Sequence, residues 1–81
     1  MGVLRVLSHH GDDKTEWNYA AVLAGDEEAR KAVEEAERIF AEQRSRGATA
    51  VRVAPGEMGQ RIDSFDPTAQ EIVMLPRVVG G

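Results

Sequence analysis

The groups in this chain that could do chemistry are few: an adjacent histidine pair, His9-His10, two acidic clusters, and the carboxylate that follows Gly80-Gly81. A histidine pair could ligate a metal or supply a general base. Neighbouring residues on an extended segment point to opposite sides, however, and no third ligand stands at a metal-site spacing, so no metal is expected there. The clusters "GDDK" and "DEEARKAVEEAE" could hold a cation or pair two carboxylates for acid-base work. A turn accounts for the first and a solvated helix face for the second, and neither has the pattern of a calcium loop. "APGEMGQR" has two glycines without the spacing of a phosphate-binding loop. Trp17, the only tryptophan, reads as core rather than as a ligand platform, and Met58 and Met74 form no stripe. With no cysteine there is no thiolate metal site or cysteine nucleophile, and a reducing, cytoplasmic setting fits every residue. The folded body is therefore not read as an enzyme.

The tail offers different chemistry. A carboxylate that must pass through a narrow channel to the α-phosphate of ATP, become an acyl-adenylate and be handed to a sulfur or amine nucleophile gains from having no side chain beside it. Gly80 and Gly81 lack Cβ atoms and leave φ and ψ free, so they can thread a groove that any other residue would obstruct. The alternative is an ordinary floppy terminus whose glycines are incidental. A reactive tail needs a firm base, and Pro76, which cannot donate to a ladder, closes the preceding apolar run at the right place.

The elements that would carry this tail can be read in outline. Val3 to Leu7 is a short apolar run interrupted only by Arg5, a strand expected to be buried on most sides. Gly11-Asp12-Asp13 suits a reversal, and Thr15, Trp17 and Tyr19 alternate as in a second strand. A helix is expected over about 26–46: Asp26 is an N-cap, Glu27 and Glu28 lie in the first turn, and Gly47 supplies the stop. Ala29, Ala32, Val33, Ala36, Ile39 and Phe40 make its apolar stripe. Glu27 with Lys31, Glu34 with Arg38, and Glu42 with Arg46 stand at i, i+4 on the other face. Thr49, Val51 and Val53 alternate with Ala50 and Arg52 in a third strand that stops at Pro55-Gly56. A short strand at Gln60 to Asp63 and a turn at Asp66-Pro67 precede Glu71 to Leu75, where Ile72 and Met74 face one way and Val73 and Leu75 the other.

With 81 residues there is room for one small domain. The element order predicts an α+β fold in which the helix lies across a single mixed sheet of four or five strands, the first and last being parallel central neighbours. That arrangement is a β-grasp, expected over 1–76, with 77–81 as a flexible tail. Fourteen acidic residues exceed ten scattered basic ones, for a net charge of −4, which argues against a nucleic-acid footprint. No apolar run approaches the about 20 residues that span a bilayer, and Val6 stands where a myristoylation signal would place Ser or Thr. No membrane partner is expected.

"EIVMLPRVVGG" resembles the C-terminus of the β-grasp sulfur carriers, including the molybdopterin-synthase small subunits and thiamine-type carriers. Their pattern is roughly acidic, aliphatic, three apolar residues, Pro-Pro, aliphatic, any residue, Gly-Gly. Glu71, Ile72, Val73, Met74, Leu75, Pro76, Val78, Gly80 and Gly81 match it. Arg77 departs from it by replacing the second Pro. Arg77 stands four before Gly81, as an Arg stands in ubiquitin where the activating enzyme reads it, and the chain is also similar to bacterial ubiquitin-like proteins. The resemblance covers about the last eleven residues; "DPTAQ" replaces the acidic-Gly-acidic turn usual before the last strand.

The resemblance implies a ubiquitin-like protein modifier that is a substrate and not an enzyme. An E1-like activating enzyme would adenylate the Gly81 carboxylate with ATP, reading Pro76, Arg77, Val78 and Val79. An E2-like conjugating enzyme and a JAB-type metalloprotease are further implied partners. The alternatives are a sulfur carrier bearing a C-terminal thiocarboxylate, and a noncovalent binding module of a mobile element. No bound cofactor is implied in any of the three.

Overall fold

Among the described residues seven elements succeed one another: β1 (Gly2–Ser8), β2 (Gly11–Trp17), α1 (Tyr19–Leu23), α2 (Glu27–Ser45), β3 (Thr49–Val53), β4 (Gln60–Ile62) and β5 (Glu71–Leu75). The computed structural model describes residues 1–8 and 11–77; His9 and His10 lie outside them. The strands form one mixed sheet in the order β2-β1-β5-β3-β4. β1 and β5 run parallel at its centre, and every other pair is antiparallel. With α2 across one face this is the β-grasp arrangement that the element order predicts.

α2 keeps its expected limits because its ends are set by local chemistry. Asp26 Oδ1 accepts from the N–H groups of Glu28 and Ala29 at 2.9 and 3.2 Å. At the other end Gly47 N donates to Arg44 O and Ala48 N to Gln43 O, both at 3.0 Å, which closes a Schellman turn on a glycine with φ +90°. Of the three expected ion pairs only Glu42 with Arg46 forms; Arg30 instead bridges Glu27 and Glu34, and Arg38 bridges Glu35 and Glu42. All of these are exposed and add little to stability.

The buried face of α2 presents Ala36 and Phe40 to Leu4, Ala50, Ile72 and Met74, which are fully buried. Three small residues, Ala36, Ala48 and Ala50, belong to the same buried core. Phe65 reaches in from the loop before β5 and meets Trp17 at 5.1 Å and Phe40 edge-on at 5.9 Å. Trp17 is 2% exposed, so it belongs to the core outright, and its Nε1–H donates to Pro67 O at 2.9 Å.

Three expectations are corrected. Gly11, Asp12 and Asp13 are not a reversal: they belong to β2, which pairs along its whole length with β1, from Gly2↔Trp17 to Ser8↔Gly11. Nor does the second strand continue to Tyr19. Asn18 Oδ1 accepts from Ala21 N at 3.1 Å, capping the short helix α1. The third correction concerns burial. One helix covers only one face of the sheet, so Leu7 and Leu75 on the opposite face stay 36% and 39% exposed.

A buried glycine marks the closest approach in the core. A Cβ at Gly2 would fall 2.3 Å from Cε2 of Trp17, inside the indole. Gly2→Ala is therefore expected to lower stability by about 1–3 kcal/mol through overpacking. A lowered urea midpoint with unchanged slope would be the sign of it; an unmoved midpoint would mean that the ring does not lie over Gly2.

The turn that leads into β5 is built on Asp66. Its carboxylate accepts from the Thr68 hydroxyl at 2.6 Å, from Thr68 N at 2.9 Å and from the Arg52 guanidinium at 2.9 Å. The Thr68 hydroxyl first, and then its N–H and Arg52, hold the carboxyl below the ordinary aspartate value of 3.8 against the opposing push of burial. A folded value below the unfolded one gives stabilisation that is complete above the ordinary value and lost as pH falls through the folded one. Asp66→Asn should thus flatten the acid limb of a melting-temperature profile below about pH 4. An acid limb identical to that of the unmodified chain would remove Asp66 from the account.

Candidate functional site

The base of the tail is the middle strand of the sheet. β5 alternates so that Ile72 and Met74 enter the core at 0% exposure, while Val73 and Leu75 face the open side. Both of its edges are paired, through Leu4↔Ile72 to β1 and through Ala50↔Met74 to β3. On the open side Arg5 adds a tie across the strands, with Nη1 2.8 Å from Asp12 Oδ2 and Nε 3.5 Å from Glu71 Oε2. Pro76 then lacks the N–H that the ladder would use next, and Pro76 and Arg77 emerge exposed. Of the residues expected to serve the tail, these two are described; Val78, Val79, Gly80 and Gly81 lie outside the described residues.

The open face of the sheet is continuous with this exit. Val51 pairs with Val73 and Thr49 with Leu75, and the β1–β5 register carried one pair past Val6↔Met74 sets Leu7 beside Leu75. Arg61 on β4 lies across from Val51, and Lys14 on β2 across from Arg5. Neither Arg61, Lys14 nor Arg77 has an ion-pair partner among the described residues, whereas Arg5, Arg44 and Arg52 are each paired. A half-exposed apolar strip flanked by unpaired cations therefore leads to the point where the chain leaves the sheet.

Arg77 is held at that point by packing rather than by charge. Its stem crosses Gly47: a Cβ on Gly47 would lie 3.0 Å from Arg77 Cδ and 3.5 Å from its Cβ. The sequence marks Gly47 only as a helix stop. The β3–β5 register, extended two residues past Thr49↔Leu75, is the signal that brings Gly47 opposite Arg77.

The rest of the surface offers no catalytic constellation among the described residues. No group of three His, Cys, Asp or Glu residues that could hold a metal occurs among them. An open cleft of about 460 Å³ has Arg52 and Glu57 in its lining but no nucleophile, and one of about 530 Å³ lies among Val6, Leu7, Gln43, Arg46 and Pro76 at the exit of β5. No described helix is long and apolar enough to cross a membrane. Comparison of the chain with family models, with curated proteins and with solved structures gave no match.

Proposed function

We propose that this chain is a ubiquitin-like protein modifier, activated at the carboxylate of Gly81 by a separate E1-like enzyme. A carboxylate oxygen attacks the α-phosphorus of ATP and pyrophosphate leaves. A nucleophile then attacks the acyl carbon of the resulting adenylate and AMP leaves; the amine of a target lysine finally attacks that acyl group, losing a proton as the carrier's nucleophile leaves. The chain supplies no catalytic group. Its contribution is a rigid handle and a thread: Pro76 and Arg77 at the exit of β5, then Val78 and Val79 to fill the approach, then Gly80 and Gly81 to pass where a Cβ would not.

One observation carries the reading. A central strand with both edges paired and two fully buried residues ends abruptly at an exposed Pro-Arg, and the sequence from there to Gly-Gly contains only valines. A strand anchored in this way holds its exit point while a partner pulls on or fits the residues beyond it. The unpaired Arg77 favours a partner that reads a cation, which inclines the proposal to a modifier over a sulfur carrier. In either role the reaction is the partner's, no cofactor is bound by this chain, and an E2-like enzyme and a JAB-type metalloprotease would be downstream partners.

Mass spectrometry of tryptic peptides from lysate tests the proposal. The expected result is a target lysine joined through an isopeptide to the carboxylate of Gly81, absent when Gly81 is deleted. Recovery of the free protein alone, with one carboxylate oxygen replaced by sulfur, would overturn it in favour of a carrier. Recovery of unmodified protein, with function intact after loss of Gly80-Gly81, would overturn it in favour of a noncovalent module.

A further inference from the structure

We infer that Gly47 is a positioning residue whose bare Cα seats Arg77, so that the guanidinium is presented at a fixed place to a carboxylate on the partner protein. The inference rests on the activation reading above and adds to it the device that aims its recognition contact. Three observations converge on it. The β3–β5 register extended by two residues sets Gly47 directly across from Arg77. The Arg77 stem lies over Gly47 from Cβ to Cδ, at 3.0 to 3.7 Å from where a Cβ would be. The Arg77 residue is nonetheless exposed and its guanidinium has no ion-pair partner among the described residues.

The seat also has the right electrostatics. Gly47 lies just past the last turn of α2, where the carbonyls leave partial negative charge that favours a cation close by. Gly47 already needs its left-handed backbone to close α2, with φ at +90°. A Cβ there would also press on the Arg77 stem, 3.0 Å from its Cδ. A long flexible side chain laid across a surface in this way loses rotamer freedom before the partner arrives, which lowers the ordering cost of recognition. An acidic partner surface is the matching chemistry, since a guanidinium pairs with a carboxylate through two parallel hydrogen bonds.

The test is nuclear magnetic resonance on the full chain and on Gly47→Asn, because Asn tolerates positive φ better than other side chains and so preserves α2 while adding a Cβ. In the unmodified chain, nuclear Overhauser contacts from Gly47 Hα to the Arg77 methylenes are expected, with Arg77 Nε–H more ordered than that of Arg61. In Gly47→Asn the Arg77 Nε–H should become as mobile as that of Arg61 while the amides of Leu4, Ile72 and Met74 stay in place. Equal mobility of Arg77 and Arg61 in the unmodified chain would overturn the inference even if the variant failed to fold. Arg77 order unchanged by Gly47→Asn would overturn it as well. The measurement needs no activating enzyme, so an absent seat leaves the activation proposal standing, and an absent adenylate leaves the seat standing.

Discussion

Trp17→Ala should leave the chain without a cooperative unfolding transition at 25 °C. The indole is 2% exposed and occupies the space above Gly2, so its removal opens a void at the junction of β1 and β2. It also removes the ring that Phe65 packs on at 5.1 Å and leaves Pro67 O without its 2.9 Å donor. Truncating a buried aromatic residue costs about 3–5 kcal/mol, and an orphaned carbonyl adds about 1–3 kcal/mol. A domain of this length has roughly 4–12 kcal/mol in total. Because β2, the start of β1 and the loop before β5 all close on this ring, the loss would not stay local. Far-ultraviolet circular dichroism through a urea titration is the measurement, since the variant has no tryptophan to report by fluorescence. Trp17→Phe, which keeps the contact with Phe65 but not the hydrogen bond, should unfold between the two. A Trp17→Ala transition within about 1 kcal/mol of the unmodified chain would be incompatible with a core built on this residue.

How far each part of the fold is legible in the sequence depends on the range of the interactions that make it. α2 and its limits rest on groups adjacent in the chain, Asp26 with nearby N–H groups and Gly47 with the last carbonyls, so they are readable. β3 and β5 rest on alternation against a buried face, and Ala50, Ile72 and Met74 show it. β2 is an edge strand whose Gly11 to Lys14 are all exposed, so no hydrophobic period marks it, and its conformation comes from pairing with β1. Its charges are of the kind an unprotected edge uses to discourage a further strand. Trp17 and Tyr19 imitate period two across a boundary that Asn18 makes by capping α1. Leu7 and Leu75 are less buried than their apolar runs suggest, because such a run does not say whether one face or both is covered. At the site, the exit through Pro76 and Arg77 is legible as sequence. The Gly47 seat is not, because it needs a register between residues thirty positions apart.

Gly80→Val and Gly81→Val should separate the tail's chemistry from the stability of the body. Both substitutions fall after the end of β5 in the sequence, so the urea midpoint of each variant is expected to match that of the unmodified chain. Under the activation proposal each places a branched Cβ where the carboxylate must approach the α-phosphorus, and valine narrows the φ and ψ range that glycine leaves open. Displacing a reacting group by about 1 Å costs about 10²-fold in rate, so ATP–pyrophosphate exchange by the activating enzyme should fall by at least that factor for either variant. The loss should appear mainly in kcat, because Pro76 and Arg77 still engage the partner and the damage is confined to the reacting end. Arg77→Ala should behave in the opposite way, raising KM with kcat little changed, since it removes a contact made equally before and during the reaction. The two patterns together decide between a threaded reactive tail and an incidental Gly-Gly ending. An ending that merely trails would let both valine variants exchange at the unmodified rate, and that result would exclude Gly81 as the activated carboxylate.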